Sequence, residues 1–182
     1  MNAPCPLCGG PEAASFFERD DPRYGPRRYA RCPACALVFL DPALRLGPEH
    51  ERARYATHRN HPGDAGYVAF LARLTDPLCS RVRPGWRGLD FGCGPGPTLS
   101  TMLAERGYPT ADYDPFFFPD EALLARTYDF IAASEVVEHL FDPGATFERL
   151  DGLLKPGGVL GVMTEVLDDP AAFPDWWYAR DP

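Results

Sequence analysis

The chain has 182 residues, with 18 Lys and Arg against 26 Asp and Glu for a formal charge of −8, and 45% of its residues are hydrophobic. That is enough for one ordinary domain with a small appendage and a packed core, and 21 Pro with 17 Gly stay below the roughly 25–30% typical of low-complexity chains. No apolar run approaches the roughly 20 residues of a membrane helix, and the N-terminus has neither the basic start nor the apolar stretch of a secretory leader, so the expected setting is cytoplasmic, with no membrane partner.

In a reducing compartment six cysteines point to metal or catalytic chemistry rather than to disulfides. Cys5-Pro6-Leu7-Cys8 and Cys32-Pro33-Ala34-Cys35 form two C-x2-C hooks. Each presents two thiolates three positions apart, and together they make the closed four-cysteine shell of structural Zn²⁺, with iron as the chemical alternative. A closed shell leaves no position for water, so the expected role is to staple a small fold. Gly9-Gly10 lets the first hook turn tightly, with amide N–H groups aimed at sulfur. Between the hooks, Phe16-Phe17 and the run from Arg28 to Cys32 read as short strands, and Arg27, Arg28 and Arg31 form either a solvated face or a contact for an anionic substrate. Residues 1–61 carry nine Arg and seven acids, so a mildly basic front precedes an acidic body. Bulk charge therefore argues against a nucleic-acid partner.

Leu37 to Leu40 reads as a strand closed by Asp41-Pro42, and residues 49–59 as a charged connecting helix. His58 and His61 fall in a solvated loop before a helix with Tyr67, Phe70, Leu71, Leu74 and Leu78 on one face and Asp64 as its N-cap. Cys79 belongs to the same apolar pattern. The expected division is a four-cysteine module over 1–45, a linker over 46–63 and the main domain over 64–182.

Next comes Gly88-Leu89-Asp90-Phe91-Gly92-Cys93-Gly94-Pro95-Gly96-Pro97-Thr98, a short strand running through a glycine loop into a helix. Glycine loops of this kind serve nicotinamide sites and plain turns alike. A carboxylate at the strand end, Asp90, suits the ammonium of an amino-acid-bearing cofactor better than a pyrophosphate. About 20 residues on, Thr110 to Pro115 forms a second strand, at the interval where doubly wound folds place an acid on ribose hydroxyls. Asp114 is the first choice there and Asp112 the second, while Phe116-Phe117-Phe118 would face an adenine ring or fill the core. Tyr128 to Ser134 is a third strand, leading into Glu135-Val136-Val137-Glu138-His139, and Val159 to Val166 a fourth, after the turn Lys155-Pro156-Gly157-Gly158. Alternating strands and helices define an α/β fold with a doubly wound, mostly parallel sheet.

The succession DFGCGPG, ADYDP, YDFIAASEVVEHL and LLKPGG resembles class I S-adenosylmethionine-dependent methyltransferases over roughly residues 64–167, a Rossmann-like fold. The cysteine module is similar to the zinc-ribbon leader of many bacterial methyltransferases. The resemblance implies that Gly92, Cys93, Gly94 and Gly96 line the methionyl and ribose region, that Asp90 faces the amino-acid end, that Asp114 with Pro115 holds the ribose, and that Ser134 and Glu135 contact cofactor or reacting centre. It implies methyl transfer to a small-molecule oxygen, nitrogen or carbon, with a turnover-deficient S-adenosylmethionine-binding accessory protein or an RNA-modifying enzyme as alternatives. His139, beside Glu138, is the candidate general base, or else a helix cap. At i, i+3 and i+4, Glu135, Glu138 and His139 would share one helical face, an array that resembles the Mg²⁺ site of the ubiquinone-biosynthesis O-methyltransferases and of small-RNA 3′-terminal 2′-O-methyltransferases.

Only 13 residues separate Asp114 from Tyr128, so the usual intervening strand is expected to be short or missing. Likewise, the stretch after Val166 is expected to lack the customary final hairpin, leaving an open sheet edge. Trp176, Trp177 and Tyr178 would cover that edge or the substrate pocket, with a second copy of the chain in a homodimer as the other cover.

Overall fold

A computed structural model describes residues 4–10, 13–57 and 60–180; His58 lies outside the described residues. The chain folds as two compact units. One comprises residues up to Glu51, Leu140–Thr146 and the stretch from Glu165 onward; the other comprises Arg52–His139 and Phe147–Thr164.

In the first unit β1 (Ala14–Asp21) and β2 (Gly25–Arg31) form an antiparallel hairpin, and β3 (Val38–Leu40) pairs with β2. The hairpin carries the aromatic residues that the sequence alternation places in strands. Its apolar side is covered by the C-terminal stretch. Phe173 is buried, with its ring 5.2, 5.5 and 4.9 Å from those of Phe16, Phe17 and Tyr29. The Tyr29 hydroxyl donates to the Ala179 carbonyl at 3.0 Å, and Arg19 donates to the same oxygen. Trp176 and Trp177 both donate their indole N–H to Glu165 Oε2 at 2.9 Å. The aromatic tail thus has partners in its own unit.

Arg27 departs from the solvated-face expectation. It is 1% exposed, donates to the Leu44 carbonyl at 3.0 Å and packs its guanidinium 4.9 Å from the Tyr24 ring centre. The amphipathic stem and planar head of arginine make such burial against an aromatic ring tolerable.

The second unit is built on a four-stranded sheet, all parallel, in the order β5-β4-β6-β7. Its strands are β4 (Gly88–Phe91), β5 (Thr110–Tyr113), β6 (Tyr128–Ser134) and β7 (Leu154–Met163). Helix α1 (Pro48–Tyr55) precedes α2 (Ala65–Cys79), and α2 starts where Asp64 Oδ1 accepts the amides of Gly66 and Tyr67 at 2.8 and 3.1 Å. Leu71, Leu74 and Leu78 of α2 pack with Leu99, Met102 and Leu103 of α3 (Thr98–Glu105) over Phe130 and Ala132, with Cys79 against that cluster. The opposite sheet face is covered by Leu150 and Leu153 of α4 (Pro143–Leu153) and by Leu123 and Leu124 of a 3-10 helix, Glu121–Ala125. Both faces are therefore apolar, which is why β6 reads as a continuous hydrophobic run. Gly88 is required by packing, because a Cβ there would overlap the Phe130 ring.

Among the described residues, the stretch between β5 and β6 holds the 3-10 helix and no paired strand, so β5 is one edge of the sheet and β7 the other. β7 differs from the expected Val159 to Val166. It begins at Leu154, opposite Tyr128, and the register then skips so that Phe130 faces Val159. The four residues between bulge out at Gly157, which has φ +78°, and Lys155 Nζ reaches Asp129 Oδ1 at 2.8 Å. The glycine turn expected before the strand lies inside it. No helix among the described residues is long and apolar enough to cross a membrane.

Candidate active site and cysteine cluster

The two cysteine hooks have nearly the same backbone. Cys5 N donates to Gly10 O and Gly9 N to Cys5 O; Cys32 N donates to Leu37 O and Ala36 N to Cys32 O. Each hook turns back through one left-handed residue, Gly9 at φ +64° and Ala36 at φ +63°. Glycine accepts that conformation freely, whereas alanine is strained by it. The turns bring all four Sγ atoms within 4.8 Å of one another, with Cys5 and Cys32 buried and Cys8 and Cys35 exposed. The amides of Cys35 and Ala34 hold the Cys32 thiol well down, to about 6, while burial first and the other sulfurs second push Cys35 up to about 12. Thiols packed this closely, with amides aimed at one of them, could hold a metal ion as a set of thiolate ligands. Among the described residues this is the one group of three or more His, Cys, Asp or Glu side chains that converges in this way.

The second constellation lies at the carboxyl ends of β4, β5 and β6, where ligands bind in open parallel sheets. Asp90 and Asp112 are register partners on adjacent strands, and Asp114 follows β5. Asp90 is buried, and its carboxyl is pushed up to about 8, chiefly by desolvation and then by Asp112 and Asp114. Asp112 is also raised, by burial, and its Oδ1 is buried without a hydrogen-bond partner. Like charges on neighbouring strands in a desolvated place raise one another's cost of ionisation. A cationic ligand relieves that cost, so these residues fit one.

Asp114 shapes the loop through three of its acceptor sites. Its Oδ2 accepts the Gly94 amide at 3.1 Å, and its Oδ1 accepts the amides of Phe116 and Phe117 at 2.8 and 3.1 Å. A carboxylate offers about four acceptor sites, so three amides leave room for one more donor. Pro115 begins the turn so fixed. Gly92 and Gly94 have φ +77° and +65°, and a Cβ on Gly92 would come within 2.5 Å of Val136. Cys93 is buried, and burial with the nearby aspartates holds its thiol protonated.

Ser134 ends β6. Glu135 follows at φ +53°, a left-handed conformation unusual for glutamate, with its amide bonded to Met163 O at 2.8 Å. Val137–His139 is then a single 3-10 turn and not the α-helical face assumed from the sequence. Glu138 Oε2 accepts from Thr164 Oγ1 at 3.1 Å, and its Oε1 lies 3.9 Å from His139 Nε2. The described groups of three or more converging metal-type side chains do not include Glu135, Glu138 and His139, and the 3-10 turn replaces the helical face on which the sequence sets them.

Three residues here escaped sequence reading. The Asn60 carbonyl sits where a Cβ on Gly96 would be, and it accepts from Thr98 Oγ1 at 3.4 Å, so Gly96 is dictated by a segment more than 30 positions earlier. The Tyr67 phenol, counted as core, is pushed up to about 12 by burial and then by Asp90, Cys93 and Glu135, which puts it beside the acids. Tyr55, the last residue of α1, sets its ring 5.5 Å from the His139 imidazole and 6.4 Å from Phe116. Asn60 and Tyr55 carry no local motif; Tyr67 was hidden by its helical spacing.

A methyltransferase-domain family profile matches residues 41–182. Among curated proteins, the ubiquinone biosynthesis O-methyltransferase of Parvibaculum lavamentivorans is 28% identical over 165 residues, covering 76% of this chain and 62% of that protein. Its namesake from a Bradyrhizobium species is 33% identical over 165 residues, covering 76% and 61%. The chain thus spans about three-fifths of the length of these relatives. Among solved structures, an S-adenosylmethionine-dependent methyltransferase from Geobacter sulfurreducens in complex with S-adenosylhomocysteine superposes with a TM-score of 0.41 at 19% identity, covering 64% of this chain and 55% of that one. With the profile covering most of its length, and with a parallel sheet ending in a glycine loop, the chain belongs to the methyltransferase-domain family.

Proposed function

We propose that this chain binds S-adenosylmethionine at the carboxyl ends of β4, β5 and β6 and transfers its methyl group to an oxygen of a small molecule. The observation that carries the reading is the buried acid cluster of Asp90, Asp112 and Asp114 around the glycine loop. Asp90 would take the ammonium of the amino-acid end, and the remaining acceptor site of Asp114 a ribose hydroxyl. Gly92, Cys93, Gly94 and Gly96 provide close backbone approach, while Pro115, Ser134 and Glu135 follow or end the strands at the same end of the sheet. The O-methyltransferase relatives favour oxygen over nitrogen or carbon as acceptor.

When bound, S-adenosylmethionine would supply an electrophilic methyl carbon on a sulfonium, with a neutral thioether as the leaving group. What the chain must add is alignment, the largest contribution in such a displacement, and a destination for the hydroxyl proton. His139 takes that proton. Glu138, 3.9 Å from Nε2, stabilises the imidazolium that results, and Thr164 fixes Glu138. The four cysteines hold a structural Zn²⁺, since two thiolate pairs close a tetrahedral shell. Zinc thiolates of this kind suit a reducing compartment, here the cytoplasm.

Incubation of the protein with methyl-labelled S-adenosylmethionine and a fractionated host extract should place label in the small-molecule fraction as alkali-stable ethers. Label confined to RNA or protein would overturn the acceptor class.

A further inference from the structure

Asp112, Asp90, Ala132 and Gly161 form a row across the sheet, as register partners on β5, β4, β6 and β7. Register partners point to one face, and a Cβ on Gly161 would meet Leu74 and Leu78 of α2 at 3.2 and 3.4 Å. Asp90 and Asp112 therefore look toward the side of the sheet that α2 covers. Helix α2 runs against the strands. Its end lies near their amino ends, where Arg106 Nη1 donates to Asp76 Oδ1 at 2.6 Å and the Tyr108 hydroxyl to the Cys79 carbonyl at 3.4 Å, just before β5 begins at Thr110. Its start consequently lies at the carboxyl ends. Tyr67 shares the sheet-facing stripe of Leu71, Leu74 and Leu78 and is half-buried against their cluster. At about 1.5 Å per residue it stands about 18 Å from Cys79 along the helix, farther than the roughly 13 Å that a four-residue strand such as β4 spans. That height puts the phenol over the acid cluster, with the Phe70 ring stacked on its own at 6.3 Å and 18°.

Burial first, and then Asp90, Cys93 and Glu135, push the Tyr67 phenol up to about 12, so at neutral pH it is an uncharged hydroxyl donor. The charged groups that raise Asp90 are Asp112 and Asp114, and no Lys or Arg of the described residues is among the groups acting on either side chain. A cofactor whose ammonium sits on Asp90 carries a carboxylate on the same carbon. In acidic surroundings that carboxylate needs a neutral donor, because burying it unpaired is costly. We propose that Tyr67 is a cofactor-contacting residue: its hydroxyl donates to the α-carboxylate of S-adenosylmethionine, so that α2 supplies one half of the seat for the zwitterionic end and Asp90 the other. This rests on the reading that the cofactor binds at the carboxyl ends of β4, β5 and β6. The hydroxyl selects a ligand that bears a carboxylate, and the ring, packed on Phe70 and the leucine stripe, holds the hydroxyl in place.

The test compares S-adenosylmethionine with decarboxylated S-adenosylmethionine, which keeps the ammonium and the sulfonium and lacks the carboxylate, by calorimetric titration of the full chain. The wild type should prefer S-adenosylmethionine. Tyr67→Phe, which keeps the ring, should weaken S-adenosylmethionine by about tenfold or more, as expected for a lost hydrogen bond to a charged group, and leave the decarboxylated ligand within about twofold of wild type. Unchanged affinity for S-adenosylmethionine in Tyr67→Phe, or an equal loss for both ligands, would overturn the proposal. So would a wild type that binds the two ligands equally tightly, a result that can be read even if the variant fails to fold. No binding of either ligand to the wild type would instead overturn the cofactor reading, and the role of Tyr67 with it.

Discussion

Asp90 shows how one side chain can be costly to the fold and useful to the site. Its carboxyl sits in the sheet at 3% exposure, beside two other aspartates, and keeps its proton up to about pH 8 against an ordinary value of 3.8. Because its pKa is raised on folding, the folded chain holds a proton that the unfolded chain has lost between those limits. Stability of the ligand-free protein should therefore fall as pH rises from about 4 to about 8, by on the order of 1.4 kcal/mol per pH unit from this group. Urea midpoints measured across that range should flatten in Asp90→Asn; an equal slope in both proteins would place the pH dependence elsewhere. At the cysteine hooks the matching residues Gly9 and Ala36 give a second prediction. Ala36→Gly should stabilise the first unit by about 1 kcal/mol, since it removes a left-handed alanine without removing a contact. A lowered melting temperature in that variant would show that the Ala36 methyl contributes more than its strain costs.

At the scale of elements, β4, β6 and α2 were legible because their apolar periods and end signals are local. Asp64 caps α2 through its own side chain, and β6 runs from Tyr128 to Ser134, as its hydrophobic run implies. The pairing of the cysteine hooks was legible for the same reason, since each hook is a self-contained turn. What escaped depends on distant partners. The start of β7 is moved back to Leu154 by pairing with Tyr128, with the bulge at Gly157 absorbing the mismatch. The stretch from Glu135, left-handed at φ +53°, to the 3-10 turn Val137–His139 has a backbone that its residue types do not announce. Arg27 reads as surface by composition and is buried because Leu44 and Tyr24 close over it. The aromatic tail is the other case, since Phe173 finds Phe16, Phe17 and Tyr29 about 150 positions away. Phe173→Ala should destabilise that unit by about 3–5 kcal/mol, and thermal unfolding followed by near-ultraviolet circular dichroism checks it; an unchanged melting temperature would mean the ring is dispensable.

At the scale of the molecule there are two compact units: one contains the four-cysteine cluster, the other a parallel sheet with carboxylates at its carboxyl end. The open edges at β5 and β7 are the cost of a four-stranded sheet, and the active-site proposal depends on neither. It depends on whether the acid cluster receives a cation. Calorimetric titration with S-adenosylmethionine at pH 7, repeated in buffers of different ionisation enthalpy, measures this directly. The expected result is binding tighter than millimolar, about −4 kcal/mol or better, with net proton release as Asp90 ionises against the bound ammonium, and with affinity rising toward pH 8. No binding heat at millimolar S-adenosylmethionine, or binding with proton uptake, would contradict the assignment of Asp90, Asp112 and Asp114 as the cofactor's seat.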